Sequence, residues 1–202
     1  MANIAAIRSV GTSIASYLTN AYRASVFPQG IARPECNFNL TSVGGVRAQL
    51  IPTSESGVTV PIFLYRIGMN EHLRNAGRLS DPDLTPSPLS IDLHYMLSFW
   101  AQSAENEHLA LAWTMRQLHQ TPVLEGSILS RDAAWAADDV IQLIPEQLSN
   151  EDMMRIWDAL EPDYRLSLSY IARVVRIDPD QSADHRPVVA TRFNLAVPNP
   201  EP

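Results

Sequence analysis

Between Val60 and Met69 the chain reads Val-Pro-Ile-Phe-Leu-Tyr-Arg-Ile-Gly-Met, and it turns polar at once into Asn70-Glu71-His72-Leu73-Arg74-Asn75. An apolar run of this length, rich in β-branched and aromatic residues, is a strand. The segment that follows carries hydrogen-bonding side chains and one buriable residue, Leu73. A strand that ends in such a turn holds a surface in shape, and a shaped surface without attached chemistry most naturally meets another protein. Asn70, Glu71, Arg74 and Asn75 are therefore candidate turn-bracing or partner-contact residues.

The rest of the chain supplies the frame for that strand. Ile4, Ile7, Ile14, Leu18 and Tyr22 recur at helical spacing, with Ala5, Val10 and Ala21 beside them, which predicts an amphipathic helix over residues 3–23. Gly11 lowers its stability slightly without ending it. Residues 27–57 read as loop with one short strand near Gly45–Ile51. Strands are predicted at Val58–Met69, at Ser90–Trp100, at Arg165–Ile177 and at Val188–Val197. In the second, Ile91, Leu93, Tyr95, Leu97 and Phe99 alternate with Asp92, His94, Met96 and Ser98, the pattern of a strand with one buried face. Pro82, Pro86 and Pro88 make residues 77–90 an exposed loop.

A second helix runs from Glu105 to Gln120, ended by Pro122, and Val123-Leu124 begins a connector. A third spans Asn150–Leu160, where Ser149 and Asp152 form a capping box and Leu148 and Met153 a hydrophobic staple. Three helices interleaved with four or five strands define an α+β fold: a mainly antiparallel sheet flanked by about three helices. One domain over residues 1–197 is expected, followed by a proline-rich disordered tail at 198–202.

Composition narrows what such a domain does. The 202 residues carry a formal charge of −7, the wrong sign for a phosphate-binding footprint, so no nucleic-acid partner is expected. All 15 basic residues are arginine, which removes lysine Schiff bases, phosphate-loop lysines and Ser–Lys dyads together. Cys36 is alone and has no histidine near it in sequence, so it reads as an incidental thiol. No apolar stretch approaches a membrane span, and Arg8, Ser9, Thr12 and Ser13 interrupt the N-terminal helix too early for a signal sequence. The chain reads as soluble and intracellular when made, with no membrane partner.

Motifs with chemical meaning are few. Glu105 and His108 have the spacing of two metal ligands on a helix, but a di-metal site needs a second such motif and two further glutamates. Asp178, Asp180, Ser182 and Asp184 imitate a calcium loop, yet Ala183 stands at the glycine position and Val189 where the bidentate acid belongs. His72, Asp92 and His94 would supply a general base, with no nucleophile setting to use it. Trp100, Trp113, Trp135 and Trp157 are core or interface anchors. No cofactor is expected, and the chain is expected not to be an enzyme.

Blocks of the sequence, taken in order, resemble one family. Phe63-Leu64-Tyr65-Arg66-Ile67 followed by Asn70–Asn75 is similar to the signature of the cap, or tail-terminator, proteins of contractile injection systems, the phage-tail-like particles of the antifeeding-prophage type. Asp92–Leu97, Glu107–Ala112, Thr121–Leu124, Leu148–Asp152, Ile156–Leu160 and Tyr164–Tyr170 resemble later blocks of the same family. The resemblance covers residues 3–177. It departs at Arg131–Asp138, which looks like an insert of this chain, and some relatives carry a further C-terminal region.

The resemblance implies a homohexamer ring that closes the end of an inner tube and its contractile sheath, with the tube and sheath proteins as partners. The resemblance also implies that the ring is assembled in the cytoplasm and becomes part of a phage-tail-like particle that is released in some systems. Trp135 and Arg176 join Asn70, Glu71, Arg74 and Asn75 as candidate contact residues. The edge of the Arg165–Ile177 strand, or that of Val188–Val197, is a candidate to accept or donate an exchanged strand. Two rival readings remain at this point: a monomeric adaptor, and an enzyme using His72, Asp92 and His94.

Overall fold

The computed structural model describes residues 2–47, 52, 54–70 and 88–179. The elements in chain order are α1 (Ala6–Ala24), β1 (Glu35–Leu40), α2 (Val43–Arg47), β2 (Gly57–Met69), β3 (Leu89–Ser98), β4 (Trp100–Ala101), α3 (Ala104–Gln120), β5 (Val123–Leu124), a 3-10 turn (Arg131–Ala133), β6 (Ile141–Glu146), α4 (Asn150–Leu160) and β7 (Ser167–Ile177). The strands form one sheet in the order β1-β2-β3-β7-β6-β5, with β4 prolonging β3 along β2. Every pairing is antiparallel except β1 with β2, which is parallel. The expected α+β class and mainly antiparallel sheet are thus present, with one parallel pair at the β1 edge.

Two apolar layers sandwich the sheet. On one face α1 and α3 pack Val10, Ile14, Leu18, Tyr22, Trp113 and Leu118 against Val60, Ile62, Leu93, Tyr95 and Leu97. On the other, α2 and α4 bring Val46, Trp157 and Leu160 onto Phe63, Met96 and Trp100. This second layer corrects the one-faced reading of residues 90–100. His94, Met96 and Ser98 are as buried as the residues they alternate with, because α4 closes the face that the alternation left open.

Three further corrections concern residues 3–57. Helix α1 starts at Ala6, and Ile4, outside it, is 78% exposed. The face of α1 that packs is therefore rotated toward Ala6, Ser9, Val10 and Ser13. Of the strand expected near Gly45–Ile51, residues 45–47 belong instead to a single helical turn, Val43–Arg47, and residues 48–51 lie outside the described residues; a strand not expected from sequence stands at Glu35–Leu40. Asn37 and Asn39 interrupt an alternation whose apolar members, Cys36, Phe38 and Leu40, turn toward α1. Gly11 also has a packing role: a Cβ there would lie 2.7 Å from Leu40 Cδ1 and 3.2 Å from the Tyr95 hydroxyl. The missing side chain admits the sheet to the helix, which offsets its low helix propensity.

Strand β7 lies between β3 and β6. That placement overturns its reading as an open acceptor edge: only the residues past Arg173 extend beyond β6. A bulge sets Asp92 against both Arg173 and Val174, since Ile91 pairs with Val175 and Leu93 with Ala172. The inward face accordingly passes from Ala172 to Val175, and Val174 beside it is only half-buried. The strand expected at Val188–Val197, the loop at 77–87, the calcium-like turn from Asp180 onward and the tail at 198–202 lie outside the described residues.

Helix α4 begins as its sequence predicts. Ser149 Oγ accepts from Asp152 N at 3.1 Å. The reciprocal contact is side chain to side chain, with the Ser149 hydroxyl donating to Asp152 Oδ2 at 2.7 Å. Leu148 and Met153 pack against the second layer as a staple would. Ser149→Ala is expected to cost about 1 kcal/mol, read as an earlier chemical-denaturation midpoint with an unchanged slope.

Candidate functional site

The candidate residues separate into three places. On the α4 face, the bulge in β2 falls at Tyr65, between Leu64 opposite Tyr95 and Arg66 opposite His94. His94 does not meet Asp92, the partner expected for an acid–base pair. Its Nδ1 lies 3.0 Å from Glu146 Oε1, contributed by β6. The Tyr65 hydroxyl donates to Glu146 Oε2, and the Ser169 hydroxyl donates to the same oxygen at 2.7 Å. Three strands thus send one side chain each to a carboxylate carried by a fourth.

Burial alone would raise the Glu146 carboxyl. Hydrogen bonds from Tyr65, Ser169 and His94, with the His94 charge, outweigh it and hold the group below its ordinary value. Burial and the neighbouring Glu146 push the Tyr65 hydroxyl up, well above its usual range. The arrangement keeps the carboxylate charged and the phenol neutral, each satisfied by the other. Its donors and acceptors are spent on one another, so the network ties β2, β3, β6 and β7 together. Glu146, Tyr65 and Ser169 were not visible from sequence as partners of His94, since Glu146 lies 52 residues further along the chain.

Asp92 is engaged separately. Asn70, 3% exposed, donates from Nδ2 to both Asp92 oxygens at 3.2 Å, and Arg173 Nε stands 3.7 Å from Oδ2. Asn70 N also donates to Ser90 O at 3.0 Å, which closes the mouth of the β2–β3 pair. Asn70 is therefore a bracing residue. Glu71, His72, Arg74 and Asn75 lie outside the described residues. Cys36 is half-buried, and burial pushes its thiol up to about 11, against hydrogen bonding from Tyr22 and the charge of Arg33. Such a thiol is protonated at neutral pH and a poor nucleophile.

Trp135 and Arg176 come to the same part of the surface. They line a groove of about 430 Å³ at the point where β7 runs past the start of β6, with Asp138, Asp139, Gln142 and Arg173 around it. The segment expected to be an insert forms one wall and clasps α1. Ser130 N donates to Ser13 Oγ at 2.8 Å, Ser9 Oγ to Ser130 O at 3.0 Å, and Trp135 Nε1 to Ser9 Oγ at 2.9 Å. Arg176 is exposed at the rim. A third place is apolar: Ile67, Met69 and Leu89 are 50%, 65% and 44% exposed where β2 ends and β3 begins. Among the described residues no helix is long and apolar enough to cross a membrane.

These features belong to a two-faced, mainly antiparallel sheet in which Glu146 and Asp92 are each held by side chains from neighbouring strands. The structure is similar to the sheath/tube terminator of the extracellular contractile injection system PVC, solved by cryo-EM in the extended state, with a TM-score of 0.53 and 19% identity over 96% of this chain. It is also similar to the cap that terminates the tube of the anti-feeding prophage, with a TM-score of 0.49 and 14% identity over 89% of this chain. The chain spans 64% and 60% of the length of those two chains. No curated protein sequence matches it. Residues 9–191 match the model of the Pvc16 N-terminal domain, and the chain belongs to that family.

Proposed function

We propose that this chain is a structural terminator of a contractile injection system, closing the end of the inner tube and its sheath as a ring of six copies. The observation that carries the reading is family membership over residues 9–191, joined to a fold shared with a sheath/tube terminator along 96% of the chain. The physics of the task agrees. A helical tube grows through a heterologous contact that never closes on itself, so a final ring is needed that fits the tube end and offers no matching surface beyond. The role requires a stiff sheet with contact features at its ends rather than a cleft with reactive groups.

Tube and sheath subunits are the partners in this reading, and the ring contains only this chain. It is non-enzymatic: His94 and Asp92, the groups a hydrolytic reading would use, are committed to Glu146 and to Asn70 and Arg173. Assembly takes place in the cytoplasm, and the finished particle acts outside the cell that made it. Among the described residues, Ile67, Met69 and Leu89 form an exposed apolar rim suited to a dry contact with a partner. The test is elongation of purified tube protein in the presence of this chain. Tubes are expected to shorten as the chain is added, without a change in diameter; a length distribution indifferent to its concentration contradicts the reading.

A further inference from the structure

Strand β7 outruns its neighbour. Its pairing with β6 ends at Arg173, whereas its pairing with β3 continues through Val175, Arg176 and Ile177. Among the described residues, Val174–Ile177 therefore have a strand on one side only. Apolar side chains stand beside this free edge: Val140 and Ile144 are 49% and 36% exposed, and Trp135 and Val174 are half-buried. They wall the groove of about 430 Å³ at the start of β6, in the line that a further strand beside β7 would take. A sheet edge with unpaired backbone and an adjoining apolar wall is a site for a strand.

The chain itself carries a strand pattern that the described sheet does not contain. From Val188 to Val197 the alternation puts Val189, Thr191, Phe193, Leu195 and Val197 on one side and Ala190, Arg192, Asn194 and Ala196 on the other. The family match runs to residue 191, so the start of this pattern falls within the family domain. Two hydrogen bonds fix the point from which the segment departs. Asp178 N donates to Ala2 O at 2.9 Å, and the next residue, Asn3, donates from N to Ala133 O at 2.9 Å, close in sequence to Trp135. The chain thus leaves the described residues at the end of β7, beside the wall of the groove. We infer that Val188–Thr191 of the same chain return antiparallel along Val174–Ile177, and that the segment lays its apolar side over Trp135, Val140 and Ile144.

Chain length selects both the direction and the donor. The connection Asp178–Pro187 is long enough for a hairpin loop and shorter than the crossover of about a dozen residues that a parallel strand needs. It has to span only the spacing of adjacent strands, about 4.8 Å, so no second copy is required to deliver the segment. Pro187, which lacks an N–H, stands just before the segment, where no ladder bond is lost. With the edge occupied, a strand from another subunit cannot prolong the sheet past β7, which suits a ring that must offer growth no further foothold. The pairing is a property of the single chain and does not depend on the terminator reading.

The experiment is amide hydrogen exchange on the full chain, read residue by residue by NMR at two protein concentrations. Amides of Val188–Thr191 that face β7, and those of Val174–Ile177 that face away from β3, are expected to exchange at least about a hundredfold more slowly than an unstructured chain. Successive residues of a strand direct their N–H groups to opposite sides, so one of Val189→Pro and Ala190→Pro removes a pairing donor. That variant is expected to lose the protection in both segments while residues 169–173 keep theirs, with thermal unfolding showing that it is folded. The parent's own exchange decides the matter if a variant does not fold. Exchange of Val188–Thr191 at the rate of an unstructured chain overturns the inference. So does protection that neither proline reduces, or protection that rises with concentration, which would assign the edge to a neighbouring copy.

Discussion

Replacing Trp100 by alanine is expected to destabilise the domain by about 3–5 kcal/mol, which lowers Tm by roughly 10 °C or more at this chain length. Trp100 is 2% exposed and sits at the centre of the second apolar layer, between Phe63, Met96 and Trp157. Its ring centre is 6.2 Å from that of Trp157, and the guanidinium of Arg165 lies 5.1 Å above it. Its Nε1 donates to Ser98 Oγ at 2.9 Å. The substitution therefore opens a cavity, removes a cation–π contact and strands a buried hydroxyl in one step. Differential scanning calorimetry measures it. A loss below about 1 kcal/mol would mean that α4 does not pack on the sheet as described.

The second large effect is expected at Glu146. Glu146→Ala removes the common acceptor of Tyr65, Ser169 and the His94 ring; the two hydroxyls, 2.9 Å apart, keep only each other, and the His94 ring loses its carboxylate partner at a largely buried site, at a cost of about 3 kcal/mol. Glu146→Gln keeps one acceptor oxygen and should cost less. The charge also gives the effect a pH signature. The folded carboxyl titrates below its ordinary value of 4.5, so the unfolded chain binds its proton first as pH falls. The stabilisation is thus present above about pH 5 and is lost on acidification through the folded value. The stability of Glu146→Ala should fall less steeply than that of the parent between about pH 5 and pH 3. Parallel curves would show that the carboxylate is not held as the geometry indicates.

Much of this fold was legible because its signals are local. Ser149, Asp152, Leu148 and Met153 mark the start of α4 within six residues of sequence, and the alternation of Ile91, Leu93, Tyr95 and Leu97 marks the face of β3 that meets α1. What escaped was non-local. The alternation says that Met96 and Trp100 share a face but not that another helix will cover it, because that depends on where a segment some 55 residues later folds back. Strand β1 is masked by Asn37 and Asn39, residues disfavoured in strands, and is defined by its parallel pairing with residues 57–62. The two bulges, at Tyr65 and opposite Asp92, shift side-chain faces in a manner that a period of two cannot express.

The same distinction explains the candidate site. Trp135 and Arg176 are brought into one groove because β7 outruns β6, a consequence of sheet order rather than of sequence spacing. His94 was recognisable as a strand histidine, but the residue that fixes it arrives from β6 through β7, two strands away. Asn70 reads from sequence as a turn-bracing or contact residue, and in the structure its amide donates to both oxygens of Asp92, a partner that sequence spacing does not disclose.

The central claim is that this chain closes a tube. Its most direct test is cryo-electron microscopy of tube ends after incubation of purified tube protein with the full chain. The account predicts a closed six-fold ring of this chain seated on one end of each tube, with no further tube ring stacked beyond it. Bare tube ends, with the chain remaining monomeric in the supernatant, would contradict it.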